Sequence, residues 1–222
     1  TANREAARRY YTRTKARAIV TELQANGVTA GVDLDVPPTW RASEFNNADH
    51  ITGHTIEDES SPMKPLHALW SAHATHIGDD GSVRTSWDDF NDRNEYTSVP
   101  HRYQIIPKPN TVAVFVRNRA DMEALARQFP LPQEKYHSYS ARRSGYVSFE
   151  AMRAAGVTAV VYEAVFSRYS DPVEGGWNSW DVDSVAWLDH DAYTHDTTPA
   201  PLAPAPSSTE DEDDPLTNDN RA

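Results

Sequence analysis

Two short apolar runs between residues 145 and 191 constrain the fold more than any other feature of the sequence. Residues 149–155 are typical of a short helix, and Gly156 is suited to end it because glycine enters the left-handed region without a Cβ penalty. Residues 157–165 then read VTAVVYEAV, which is rich in β-branched side chains and too short for a free-standing helix. We therefore expect a strand that is buried on both faces.

The second apolar run, residues 180–188, reads WDVDSVAWL and follows a loop marked by Asp-Pro and Gly-Gly pairs. Side chains alternate along a strand, so Asp181 and Asp183 are expected on the same face as Val185 and Trp187. A carboxylate on an apolar face must be hydrogen-bonded for structure or placed for a ligand. Both interpretations remain open from the pattern alone.

The composition sets the class of protein. A chain of 222 residues with 38% apolar content is long enough for one ordinary core plus tails. No stretch approaches the roughly 18 apolar residues that cross a bilayer, and the basic N-terminus carries no apolar leader, so we expect a soluble, cytoplasmic protein without membrane contact. The absence of cysteine excludes disulfides, thiolate zinc sites and cysteine nucleophiles. The net charge of −12 argues against broad nucleic-acid binding.

Three regions are predicted along the chain. Residues 1–27 form a basic helix ended by Gly27, residues 28–193 form one domain, and residues 194–222 form a disordered tail that is rich in Pro and Ala and then acidic. The apolar stripe predicted for the helix consists of Ala7, Tyr11, Ala18, Ile19 and Leu23. Its basic face either contacts an acidic partner or a phosphate backbone, or is simply solvated, and the acidic tail of the same chain is one candidate partner.

Histidines are numerous but do not form a compact metal motif. His50 and His54 are four residues apart, yet Gly53 and β-branched neighbours argue against the helix that would bring them together. His73 and the histidines around it have no carboxylate at a ligand spacing. We therefore expect no metal site.

The order of several segments resembles a loosely defined family from actinobacteria and their phages. The segments are residues 68–72, 86–90, 112–125, 149–161 and 179–188. Members of that family are similar in strand order to the ADP-ribosyltransferase fold. The resemblance covers roughly residues 50–191 and implies an α+β fold with two small, mainly antiparallel sheets and flanking helices. It also implies a virion-associated location if the protein is encoded by a phage.

The resemblance further implies that NAD is the substrate and that ADP-ribose is transferred to a macromolecular acceptor. Such enzymes carry a His or Arg on an early strand, a Ser or Tyr on the next strand and a carboxylate, usually Glu, on a late strand. His54, Ser71 and Asp183 match these roles, with Asp181 two residues before Asp183 as in an E-x-E pair. Aspartate in place of glutamate departs from the family pattern, and it shortens the reach of the carboxylate by one methylene.

Aromatic side chains complete the predicted NAD site. Trp70 and Tyr103 are candidates for stacking on nicotinamide or adenine, although aromatic residues among apolar strands are more often part of the core. The competing hypothesis is a phage or host interaction protein that keeps the fold without the chemistry, and the aspartate, the charged termini and the tail favour it. A metal-dependent hydrolase is a third, weaker alternative.

Overall fold

The computed structural model describes residues 2–32, 38–44, 65, 68–132, 147–163, 180 and 182–205, with side chains from residue 12 onwards. These ranges form an α+β protein. Its helices are α1 (Ala2–Ala25), α2 (Ser86–Arg93), α3 (Arg119–Gln128) and α4 (Phe149–Ala154). Its strands are β1 (Ala30–Val32), β2 (Thr39–Ser43), β3 (Leu69–Ala72), β4 (Ala74–Ile77), β5 (Val83–Thr85), β6 (His101–Pro107), β7 (Val112–Val116), β8 (Ala159–Tyr162), β9 (Ser184–Trp187), β10 (Tyr193–His195) and β11 (Ala200–Pro201). Within these ranges no helix is both long and apolar enough to cross a membrane.

Helix α1 ends where the sequence predicts, because Gly27 adopts a φ of +79°. Its buried stripe includes the predicted Ile19 and Leu23 but not Ala18, and the side chains of Ala7 and Tyr11 lie outside the described residues. The side chains that pack on the core are Ala16, Ile19, Val20 and Leu23, at the i, i+3, i+4, i+7 spacing of a helix face. Ala18 is exposed because it lies two residues from Ala16, on the opposite side of a helix with about 3.6 residues per turn.

Helix α2 begins at Ser86, one residue earlier than it would if Ser86 were its N-cap. Thr85 is the N-cap, and the carboxylate of Asp88 accepts hydrogen bonds from both the Thr85 N–H and the Thr85 hydroxyl, each 2.8 Å long. The Thr85 N–H, one of the N–H groups at the start of a helix that have no partner within it, is thereby hydrogen-bonded. Ser86 is consequently the first residue of the helix, and its hydroxyl is available for another contact.

One mixed sheet of nine strands replaces the two small sheets that the sequence predicts. The strand order is β1-β7-β8-β9-β3-β2-β6-β10, and β11 also pairs with β6. Among the described strands of this sheet, β7 and β8 are the one parallel pair, while β4 and β5 form a separate hairpin. The two halves join because β9 pairs with β8 along one edge and with β3 along the other.

The large sheet must curl. Strands β6 and β7 are five positions apart in the sheet, yet only residues 108–111 connect them. Five strand spacings amount to about 24 Å in a flat sheet, whereas that connection reaches at most about 18 Å. The concave face encloses one apolar cluster: Leu69, Tyr103, Ile105, Ala113, Phe115, Ala159, Val161, Val185, Trp187, Ala192 and Tyr193. Helices α1, α3 and α4 pack on the opposite, convex face.

The large sheet continues past the predicted domain boundary at Tyr193. Strands β10 and β11 both pair with β6, and beyond them Ala203 is fully buried. The Ala203 N–H donates to the Val83 carbonyl at 3.1 Å, and Arg84 Nη1 donates to the Ala203 carbonyl at 3.3 Å. The boundary is wrong because backbone pairing holds this segment, which composition does not reveal. Residues 206–222, with the acidic run, lie outside the described ranges.

Candidate functional site

Three neighbouring strands place a polar row on the concave face of the sheet. Arg41 on β2 pairs with Tyr103 on β6. Trp40 pairs with Ala72 on the other side of β2, so the continued antiparallel register puts Arg41 opposite Ser71 on β3. Paired residues project to the same side of a sheet. Ser71 and Tyr103, both predicted to bind NAD, therefore share one face and flank Arg41.

Ser71 and Tyr103 are themselves part of the packed interior, at 1% and 0% exposure. The Ser71 hydroxyl lies 2.6 Å from Thr39 Oγ1 and accepts a 2.7 Å hydrogen bond from Trp187 Nε1. These bonds fix β3 against β2 and β9. Neither residue can contact a ligand directly unless the interior rearranges. Both can hold Arg41 in position without such a rearrangement.

Arg41 is the residue of this row with unused hydrogen-bonding capacity. Its Nη1 donates to the Trp70 carbonyl at 3.3 Å, while its Nε is buried and has no hydrogen-bond partner in the described part of the chain. Burial lowers the pKa of Arg41, and the neighbouring Tyr193 phenol offsets part of that effect. A buried N–H donor is costly unless it is hydrogen-bonded, and a guanidinium pairs best with an anion, so this position is suited to an anionic ligand.

Tyr193 connects Arg41 to an open cleft. The side chain is 5% exposed, and burial together with the charge of Asp189 raises the pKa of Tyr193 to about 12, although Arg41 acts in the opposite direction. Tyr193 also lines a cleft of about 290 Å³ whose other lining residues are Lys108, His190, Thr194 and His195. Tyr193, whose phenol stays protonated at neutral pH, thus lies next to Arg41 and also lines the cleft that contains Lys108.

The raised pKa of Tyr193 predicts that the protein loses stability in alkaline solution when this phenol ionises. The folded state holds the phenolic proton up to a pKa of about 12, above the ordinary value of 10.0, so this contribution is complete below pH 10 and declines as pH rises through 12. Relative to Tyr193→Phe, the wild-type unfolding free energy should fall by about 2 kcal/mol between about pH 9 and about pH 12. Denaturant unfolding of both proteins across this range measures it, and a constant difference would contradict the assignment.

Asp183 lies just outside the strand on which the sequence placed it. Strand β9 begins at Ser184, and Asp183 occupies the bend immediately before it, half-buried. Its backbone carbonyl accepts a 2.9 Å hydrogen bond from Ser86 Oγ. The predicted alternation holds within β9, because Val185 and Trp187 belong to the concave cluster and Ala186 to the convex one.

The other predicted site residues do not join this group. Trp70 lies on the convex face, where its ring is 4.5 Å from that of Trp180 and its Nε1 donates to the Pro65 carbonyl at 3.3 Å. His54 and Asp181 lie outside the described residues, so their roles stay predictions.

Sequence reasoning missed Arg41. Pro37 and Pro38 indicate an extended piece that ends in a loop by residue 41, whereas the structure starts β2 immediately after them. The usable signal was the segment TWRAS, in which β-favouring Thr39 and Trp40 precede a single cation. A proline before the first residue of a strand is compatible with pairing.

Comparisons with known proteins return nothing that assigns this site. No protein-family model, no curated protein and no solved structure matches the chain. The resemblance to the ADP-ribosyltransferase fold therefore remains a prediction from the sequence, and the function has to be argued from the geometry around Arg41.

Proposed function

We propose that the protein is an ADP-ribosyltransferase-like protein that binds NAD on the concave face of its sheet and transfers ADP-ribose to a macromolecular acceptor. The observation that supports this is the buried Nε of Arg41, which lies on the strand next to Ser71 and has no hydrogen-bond partner among the described residues. The resemblance implies a His or Arg on an early strand, a Ser on the next strand and a carboxylate on a late strand. Adjacent strands β2, β3 and β9 carry Arg41, Ser71 and, one residue before β9, Asp183.

Arg41 binds the pyrophosphate of NAD in this proposal. A guanidinium is charged at every physiological pH, and its planar fork of N–H donors matches phosphate oxygens. Ser71 does not contact the ligand. Its hydrogen bond to Thr39 holds β2, which carries Arg41. Its hydrogen bond to Trp187 holds β9, which begins directly after Asp183. The NAD-binding role of His54 stays a prediction, because this residue lies outside the described part of the chain.

Asp183 stabilises the reacting ribose. The bond between the nicotinamide nitrogen and ribose C1′ breaks with its electron pair on nitrogen, so nicotinamide leaves uncharged. Positive charge develops on the ribose, and a fixed carboxylate stabilises it. A nucleophilic atom of the acceptor, or water, then bonds to C1′ and gives up a proton.

A non-catalytic interaction protein is the second candidate. The burial of Ser71 and Tyr103 favours it, because two residues predicted to contact NAD are sealed in the interior. The two candidates differ in one result. The enzyme binds NAD and releases nicotinamide, whereas the interaction protein does not release nicotinamide.

NAD affinity tests the role of Arg41. Arg41→Gln should weaken binding about ten- to a hundredfold in calorimetric titration, because hydrogen bonds to charged groups contribute about 1.5–3 kcal/mol. Arg127→Gln removes the same charge from a side chain that is 70% exposed and should leave the affinity unchanged. The proposal fails if wild-type protein does not bind NAD, or if the Arg41 variant, with an unchanged thermal midpoint, binds as tightly.

A further inference from the structure

We propose that Ser86 is a positioning residue that holds the backbone of Asp183 in place for catalysis. This inference rests on the proposed function, because it concerns the carboxylate assigned there. The Ser86 hydroxyl donates to the Asp183 carbonyl at 2.9 Å, across 97 positions of sequence. Asp183 leads directly into β9, and this bond ties its backbone to helix α2.

Ser86 is itself firmly anchored. Its backbone N–H donates to the His73 carbonyl at 3.1 Å, at the end of β3. Thr85 and Asp88 fix the first turn of α2 through their mutual hydrogen bonds, and Asp88 forms a buried ion pair with Arg102. A short hydroxyl on such a support has little freedom, so it restrains the carbonyl that it binds.

The same corner of the sheet holds another unused polar atom. Ala72 pairs with Ser184, so the continued register brings His73 opposite Asp183. His73 Nε2 is buried and has no hydrogen-bond partner among the described residues. A polar ring atom is costly to bury unpaired, which is consistent with a corner that is completed when a ligand binds.

Loss of the Ser86 hydroxyl should therefore affect catalysis more than binding. We call the hydrogen bond from Ser86 to the Asp183 carbonyl the brace. Without it, the Asp183 backbone adopts more than one arrangement, and the carboxylate is aligned with the ribose for less of the time. The NAD affinity depends on Arg41 on another strand and is retained. Ser86→Thr keeps the hydroxyl on a β-branched side chain and is the conservative variant.

Steady-state kinetics and amide hydrogen exchange test the brace together. Ser86→Ala should lower kcat for nicotinamide release about tenfold, equal to one net hydrogen bond of about 1.4 kcal/mol, with KM for NAD unchanged. Ser86→Thr should restore most of kcat. Exchange at residues 182–185, measured without NAD, should be faster in Ser86→Ala only. Thr21→Ala, which removes a hydroxyl bond to the Arg17 carbonyl on the exposed face of α1, should change none of these values.

The outcomes separate the two proposals. Unchanged kcat and unchanged exchange in Ser86→Ala overturn the brace and leave the proposed function standing. A rise in KM with constant kcat, or a loss that Ser86→Thr does not restore, also overturns it. Wild-type protein that releases no nicotinamide overturns the proposed function and the catalytic role of Ser86 together, whereas the exchange data still show whether Ser86 restrains Asp183.

Discussion

Asp183→Asn is expected to lower nicotinamide release from NAD by about two orders of magnitude, the scale of losing one preorganised electrostatic contact. Asparagine has the shape of aspartate and retains hydrogen-bonding capacity, but it removes the negative charge that stabilises the developing positive charge on ribose. The Ser86 bond is made to the backbone carbonyl of Asp183 and survives the substitution. The thermal midpoint should accordingly stay the same.

A matched variant shows that the effect is local. Asp191→Asn removes the same charge from a side chain that is 83% exposed and should retain wild-type release. A structural carboxylate at Asp183 would give the reverse pattern, with a lower thermal midpoint and no specific loss of activity. Equal release by wild type and Asp183→Asn would refute the catalytic role of this residue.

Asp88→Ala is expected to lower the free energy of unfolding by about 3–5 kcal/mol, because it leaves a buried charge without its partner. Asp88 and Arg102 are 1% and 0% exposed, and Arg102 Nε donates to Asp88 Oδ2 at 3.0 Å. The same carboxylate accepts both bonds from Thr85 at the start of α2. One substitution therefore removes the ion pair and the cap of the helix together.

Denaturant unfolding of Asp88→Ala and of the exposed control Asp191→Ala measures this effect, and the control should change stability by less than about 0.5 kcal/mol. In Asp88→Ala, Arg102 keeps its hydrogen bonds to the Val99 and His101 carbonyls, at 2.6 and 2.8 Å. These bonds compensate part of its charge, so we expect a loss of unfolding free energy near the lower end of the stated range. A loss below about 1 kcal/mol would mean that water or another group compensates the guanidinium.

Local patterns in the sequence predict part of this fold. The β-branched run at residues 157–165 indicates β8, and alternation along residues 184–187 predicts which side chains lie on each face. Both signals depend only on neighbours in sequence. The joining of the strands into one sheet depends on β9 pairing with two distant strands, and no local pattern encodes that choice.

The candidate site is predicted less completely than the fold, for physical reasons. Ser71 and Asp183 were recognisable from their strands, but the burial of Ser71 follows from how far the sheet curls. Arg41 was missed because preceding prolines usually signal a loop. The burial of its Nε without a hydrogen-bond partner among the described residues depends on how the strands pack together, which no local pattern encodes. Partners of the basic helix and the acidic tail stay predictions from charge alone.

The most direct test of the account is the nitrogen–proton NMR spectrum of the arginine Nε–H groups during titration with NAD. Arg41→Gln identifies the Arg41 signal by its disappearance. If Arg41 binds the pyrophosphate, this signal moves downfield as NAD saturates the protein, because the buried Nε gains a phosphate acceptor, while the signal of exposed Arg127 stays in place. An Arg41 signal that does not move at saturating NAD would contradict a pyrophosphate site on the concave face.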